Sequence, residues 1–219
     1  MLKKYRLILA SQSPRRRELL QWLNIPFIVK IAGIDENSSA QGPTQMAQDI
    51  ATLKGQAVYT LLQRKKDFGQ DFFPFIIAAD TLVVLDNHVL GKPKNVADAR
   101  RMLLLLSGKT HQVITAVYLG AHDRQTGEWK EKYFSTLSDV RFNPISEDLL
   151  NDYLRTKESL DKAGAYGIQG PALTFISQVY GSYSNVVGFP LAELVNEMKS
   201  FLGHAEDNTG QWRKMFVTK

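Results

Sequence analysis

Apolar residues recur along this chain in two rhythms, and their alternation lays out the elements. Leu7 to Ala10 form a short continuous apolar run suited to a buried strand. Ser13 then reads as the cap of a helix that starts at Pro14 and buries Leu19, Leu20 and Leu23. FIVKI reads as a second strand with Gly33 to Asn37 as its polar end. Thr44 caps a helix to about Arg64, along which Ile50, Leu53, Ala57, Val58 and Leu61 recur at helical spacing. The run FFPFIIAADTLVVLDNHVLGKP reads as a buried strand reaching Asp80, continuing through LVVL, turning at Asp86-Asn87 and leaving through VLGKP. Asn95 caps VADARRML, and Ser146 caps SEDLLNDYL. Between them THQVITAVYLGA and STLSDVRFNP read as strands, the second with Leu137, Val140 and Phe142 on its buried face. A glycine-rich segment, DKAGAYGIQG, precedes ALTFISQVYGSYSNVVGFP. The last helix starts at Pro190, with Leu191, Leu194, Val195, Met198 and Phe201 on one face.

Strands and helices interleave without an internal repeat, which predicts an α/β or α+β fold around one extended sheet. At 219 residues and 44% hydrophobic content, the chain can form one domain or two closely joined lobes over 1–202. The segment 203–219, polar and aperiodic, is expected to be a loosely held tail.

Composition narrows the chemistry. No apolar run approaches the roughly 20 residues of a membrane span, and the apolar part of MLKKYRLILAS is too short for a secretory signal. A cytoplasmic protein with no membrane partner is expected. With no cysteine, disulfides, thiolate metal sites and cysteine nucleophiles are excluded. The net charge of +5 suggests anionic partners, although solvated surface lysines give the same balance.

Local rules break at a few positions, and such breaks concentrate at functional sites. Arg15, Arg16 and Arg17 fill the first turn of the first helix, where the partial positive charge of a helix N-terminus favours acids. Either the side chains splay into solvent, or an anion sits there, held by backbone N–H groups, by the Ser11 and Ser13 hydroxyls and by guanidinium forks. Lys54 lies near the middle of an apolar stripe; it snorkels at the edge or reaches across a cleft to a phosphate. Asp80 ends FIIAAD, placed for a metal or a water at a strand end, or for a bond to turn backbone. Glu36 in GIDEN follows a strand, where exposed turn acids are also common. Lys92 is held between a glycine and a proline, and Gln169, between Ile168 and Gly170, is placed to offer an amide to a base or a phosphate. LSGKT lacks the upstream glycine of a P-loop, and no GxGxxG follows the first strand; HExxH and GxSxG are missing as well.

SQSPRRRELL, GIDE, the central Lys54, AADTLVVL, GKP, SGKTHQVITAV, DKAGAYGIQG and GSYSNVVGFPL, in this order, resemble the signature blocks of the Maf proteins from about Leu7 to Met198. The resemblance implies an extended mixed sheet flanked by helices in two lobes with a deep cleft, like the inosine triphosphate pyrophosphatases. It also implies hydrolysis of a nucleoside triphosphate to the monophosphate and pyrophosphate with a divalent cation, usually Mg²⁺, with Mn²⁺ as an alternative. Ser11, Arg15 and Arg16 would then bind phosphate with support from Ser13, while Lys54 and Lys92 would reach the phosphates from other walls. Glu36 and Asp80 would serve metal and water, with Asp80 as general base, and Gln169 would complete the site. Arg17 falls at a variable position. Thr81 after Asp80 resembles the branch acting on dTTP, UTP and some modified pyrimidine nucleotides; the 7-methyl-GTP branch has Ser-Asp-Gln there. One departure is Ser159, where the family often has proline. The resemblance further implies a homodimer, and Lys54 in an apolar stripe with acids after two strands argues against a stable nucleic-acid complex. A nucleic-acid-binding regulator, a monophosphatase and a noncatalytic role in division remain the competing classes.

Overall fold

The structure, a computed structural model, describes residues 4–64 and 72–217. Among them, seven strands form one mixed sheet. The chain runs β1 (Lys4–Leu9), α1 (Pro14–Gln21), β2 (Phe27–Val29), α2 (Pro43–Arg64), β3 (Phe72–Leu85), β4 (His88–Leu90), α3 (Val96–Leu106), β5 (Thr110–His122) and β6 (Trp129–Phe142). It continues through α4 (Glu147–Arg155), β7 (Ile176–Tyr180), α5 (Tyr183–Val187) and α6 (Leu191–Phe201). The strand order is β2-β1-β3-β5-β6-β7, with β4 hairpinned onto the far end of β3. β1 runs parallel to β2 and β3, and the other pairings are antiparallel. The β3–β4 hairpin closes through Asp86 and Asn87, both at positive φ (50° and 64°), as a two-residue turn matched to strand twist requires. This α/β architecture is the one expected from the interleaved pattern.

The pleat of β3 sorts its side chains into separate cores. Ile76, Ala78, Leu82 and Val84 face α2 and pack with Ala47, Ala51 and Val58. Gly55 of that helix leaves room for the Tyr118 ring, which would lie 2.1 Å from any Cβ there. On the opposite face Phe75, Ile77 and Ala79 join one cluster with Leu19, Leu20 and Phe189, while Val83 and Leu85 join another with Leu103, Phe142 and Tyr153. Thr81 lies between them on this face, with Thr115 directly opposite it on β5. Two apolar bodies therefore share one sheet and meet at a polar seam.

Several sequence expectations shift by a position. Leu137 is 47% exposed, and Ser138 takes the inward place before Val140 and Phe142, because the pleat puts alternate residues on one face. Leu53 is likewise 40% exposed, with Ala51 and Gly55 buried in its stead. The second helix begins at Pro43, one residue ahead of the expected cap Thr44. The segment after Gly203, expected to be loose, packs instead. Trp212 is fully buried, and Val217 N–H bonds Tyr5 O (2.9 Å). The Asp207 carboxylate accepts backbone N–H groups from Thr209, Gly210 and Trp212, which hold its pKa down to about 2. Arg213 donates to Leu23 O at the end of α1 (3.1 Å). The few apolar side chains in an otherwise polar stretch show no period, yet Trp212, Met215 and Phe216 are enough to dock it.

Candidate active site

The cleft opens where the sheet is interrupted. β1 pairs with β3 as far as Ile77, where Ala10 N–H bonds Ile77 O (2.8 Å), and pairing with β4 resumes only at Val83, opposite Leu90. Among the described residues no strand fills the gap beside Ala78 to Leu82. It lies at the carboxyl end of parallel β1, where open α/β sheets bind ligands, and it exposes side chains from both faces of β3. A cavity of ≈ 700 Å³ occupies the gap. Ser11, Ser13, Arg15, Arg16, Glu36, Lys54, Asp80, Thr81, Lys92 and Gln169 all line it, so every residue proposed from sequence converges on one space.

Asp80 is 8% exposed and projects toward α2. There the Lys54 ammonium meets Asp80 Oδ1 at 2.7 Å and Glu36 Oε2 at 2.9 Å. The apolar stripe of α2 thus carries a lysine because two carboxylates neutralise it, Asp80 from the middle of β3, where a strand end was expected, and Glu36 from the loop after β2. Glu36 is the more open of the pair, its side chain 56% exposed. Among the described residues no group of three or more His, Asp or Glu side chains converges. Two carboxylates suit Mg²⁺, which keeps waters and takes phosphate oxygens, better than a transition metal in a closed cage.

The arginine turn divides three ways. Arg17 is exposed. Arg16 turns back along the seam: Nε donates to Gly188 O (2.8 Å), Nη2 to Thr81 Oγ1 (2.8 Å) and Nη1 to Ser11 Oγ (3.3 Å). Burial lowers its pKa, the Asp80 charge opposes that shift, and a guanidinium remains a cation. The Ser13 hydroxyl caps the helix by accepting from Arg16 N–H. Arg15 differs, since its buried Nε has no hydrogen-bond partner among the described residues. An orphaned cationic N–H at a cleft is costly, and an anion bound there would satisfy it.

The far wall comes from the glycine-rich segment. Gly167 has no side chain because a Cβ would lie 2.7 Å from Lys162 Cε and 3.3 Å from Arg15 Nη1. Gln169 and the exposed Lys92 complete this side, and Tyr166 is held from behind by buried His111 through Nε2···Oη (2.7 Å). Two charged cleft residues, Asp161 and Lys162, were missed in the sequence. Lys162 bonds Glu158 O (2.6 Å) and Asp161 Oδ1 (2.7 Å), so it reaches the cleft already paired. Both lie in DKAGAYGIQG, where the glycines drew attention away from the neighbouring charges.

A family profile described as "Maf-like protein" matches residues 6–201. The chain belongs to this family. Maf-like relatives include a dTTP/UTP pyrophosphatase from Bacillus cytotoxicus, 40% identical over 201 residues that cover 91% of this chain and 96% of the relative. Proteins of the same name from Bacillus cereus and Bacillus thuringiensis are 39% identical over 197 residues, covering 90% of this chain and 95% of each relative. The Maf-like match ends at residue 201, so the docked tail with Trp212 lies beyond it.

Proposed function

We propose that this Maf-like protein hydrolyses dTTP and UTP to the monophosphate and pyrophosphate, with Mg²⁺ as the usual cation and Mn²⁺ as a substitute. The observation that carries this is the division of charge in one cleft: Arg15, Arg16 and Lys92 on its cationic walls, and a Lys54-bridged carboxylate pair at the sheet gap. The relatives named for dTTP and UTP supply the base, in agreement with Thr81 after Asp80. Phosphoryl transfer depends on positioning and charge neutralisation. Arg15 offers its unspent Nε to a phosphate oxygen, while Arg16, locked by Gly188 and Thr81, presents its remaining donors in a fixed plane. Asp80 Oδ1 is taken by Lys54, so its second oxygen orients the attacking water and accepts its proton. Lys54 compensates the carboxylate charge, and Lys92 offsets charge gathering on the departing pyrophosphate. Glu36 and Asp80 would hold a bound Mg²⁺, which lowers the pKa of water and draws charge from the phosphates.

A turnover screen of dTTP, UTP, CTP, GTP and 7-methyl-GTP with Mg²⁺, read by pyrophosphate release, tests the assignment. Release from dTTP and UTP is expected. If 7-methyl-GTP alone is cleaved, the base assignment is wrong. Inorganic phosphate released from monophosphates, or steeply salt-dependent nucleic-acid binding without turnover, would move the protein to another class.

A further inference from the structure

Arg16 is held from the end of α5. Its Nε is spent on the carbonyl of Gly188, the residue that closes α5 in the left-handed conformation (φ 118°), and an Nη2 hydrogen is spent on Thr81 Oγ1. The second contact also leads back to α5. Thr115 Oγ1 lies 3.0 Å from Asn185 O, which can only accept, so the Thr81 hydroxyl donates to Thr115 (3.0 Å) and keeps a lone pair for the guanidinium. Five residues are too few for a helix to hold its place by its own backbone. Asn185 anchors it. Val186, Val187 and Gly188 line the cleft, whereas the fully buried Asn185 side chain enters the sheet, where Nδ2 donates to Val113 O (3.0 Å) on β5 and Ser138 Oγ (2.9 Å) on β6. Ser138 in turn donates to Ser182 O (3.1 Å), and Ser182 Oγ accepts from Asn185 N–H (3.3 Å), so the start of α5 is tied to the same point. Asn185 Oδ1 meanwhile has no partner among the described residues. A buried unpaired amide oxygen is destabilising, and a core that needed only volume would be better served by an apolar side chain.

We infer that Asn185 is a positioning residue for the Arg16 guanidinium, although it touches neither Arg16 nor the cleft. By fixing where α5 ends, it sets the place of Gly188 O and, through Thr115 and Thr81, of the second acceptor that orients the fork. The two held donors leave the others facing the cleft in one plane. The inference rests on the proposed triphosphate hydrolysis, in which Arg16 meets the phosphates, and adds what keeps that cation in place.

A double-mutant cycle on kcat/KM for UTP separates positioning from general stability, with excess enzyme in single turnovers so that slow variants are measurable. Asn185→Ala should lower kcat/KM by roughly 10–100-fold at a temperature where circular dichroism shows it folded. In an Arg16→Ala background, where no guanidinium remains to be placed, the same substitution should cost less than about 2-fold. A purely structural role would give equal fold-losses in the two backgrounds, which overturns the inference, as does near wild-type turnover in Asn185→Ala. Should Asn185→Ala fail to fold, Ser138→Ala, which removes one acceptor of the amide with little change in volume, carries the same cycle. A loss that disappears with Arg16→Ala supports the inference; a loss of equal size in both backgrounds, or in neither, overturns it. Wild-type turnover of UTP with an additive cycle removes this inference alone, whereas no wild-type turnover of UTP removes the proposed function with it.

Discussion

At the scale of residues, the useful signal was misplaced charge. Lys54 sat in an apolar stripe and Asp80 followed an apolar run; the fold joins them at 2.7 Å. Asp80→Asn should lower kcat by roughly 10²–10⁴-fold while circular dichroism and nucleotide binding persist. Near wild-type turnover in that variant would take Asp80 out of the mechanism. Arg15→Ala should impair turnover strongly and Arg17→Ala should change it little, so equal losses at both would indicate diffuse electrostatics in place of a defined site. His111 makes a separate prediction through pH. Burial pushes its pKa down from 6.5 to about 4, so the unfolded chain binds a proton that the folded protein resists. Its contribution is complete above pH 6.5 and is lost as pH falls toward 4, at about 1.4 kcal/mol per unit and roughly 3 kcal/mol in all. Urea unfolding at pH 7 and pH 5 should show this loss, and His111→Phe should flatten it.

At the scale of elements, the long strands and the starts of α1, α3, α4 and α6 were legible because period and caps are local properties. Asn95 does accept from Asp98 N–H at the start of α3. Ser146 precedes α4 as expected, yet it makes no side-chain cap bond. Register was not legible: Leu137 faces out because β6 is set by its pairing with β5, with Leu137 opposite Ile114. The short α5 passed unseen inside SYSNVV, since five residues carry no helical period. The tail was misjudged for a similar reason, as its anchors lie on β1 and α1, far away in sequence. Those anchors brace the two elements that flank the Ser11 loop. Trp212→Ala should cost roughly 3–5 kcal/mol, and ending the chain at Leu202 should lower the melting temperature by at least ~5 °C. Calorimetry showing no change in either would mean that the tail does not support the fold.

At the scale of the molecule, one sheet carries two apolar bodies on one face, and the cleft lies where β1 stops short of β4. The position of that gap depends on which strands pair, so the sequence revealed the cleft only through the residues that line it and their likeness to a family. The three arginines at the start of α1 differ at this scale: one is left to solvent, one is locked into the seam, and one keeps a donor without a partner among the described residues. The central claim is that Asp80 directs water at the α-phosphorus. Hydrolysis of UTP in ¹⁸O-labelled water, with mass analysis of both products, tests it most directly. The account predicts label in the monophosphate and none in the pyrophosphate. Label in the pyrophosphate, or release of UDP and inorganic phosphate, would contradict it.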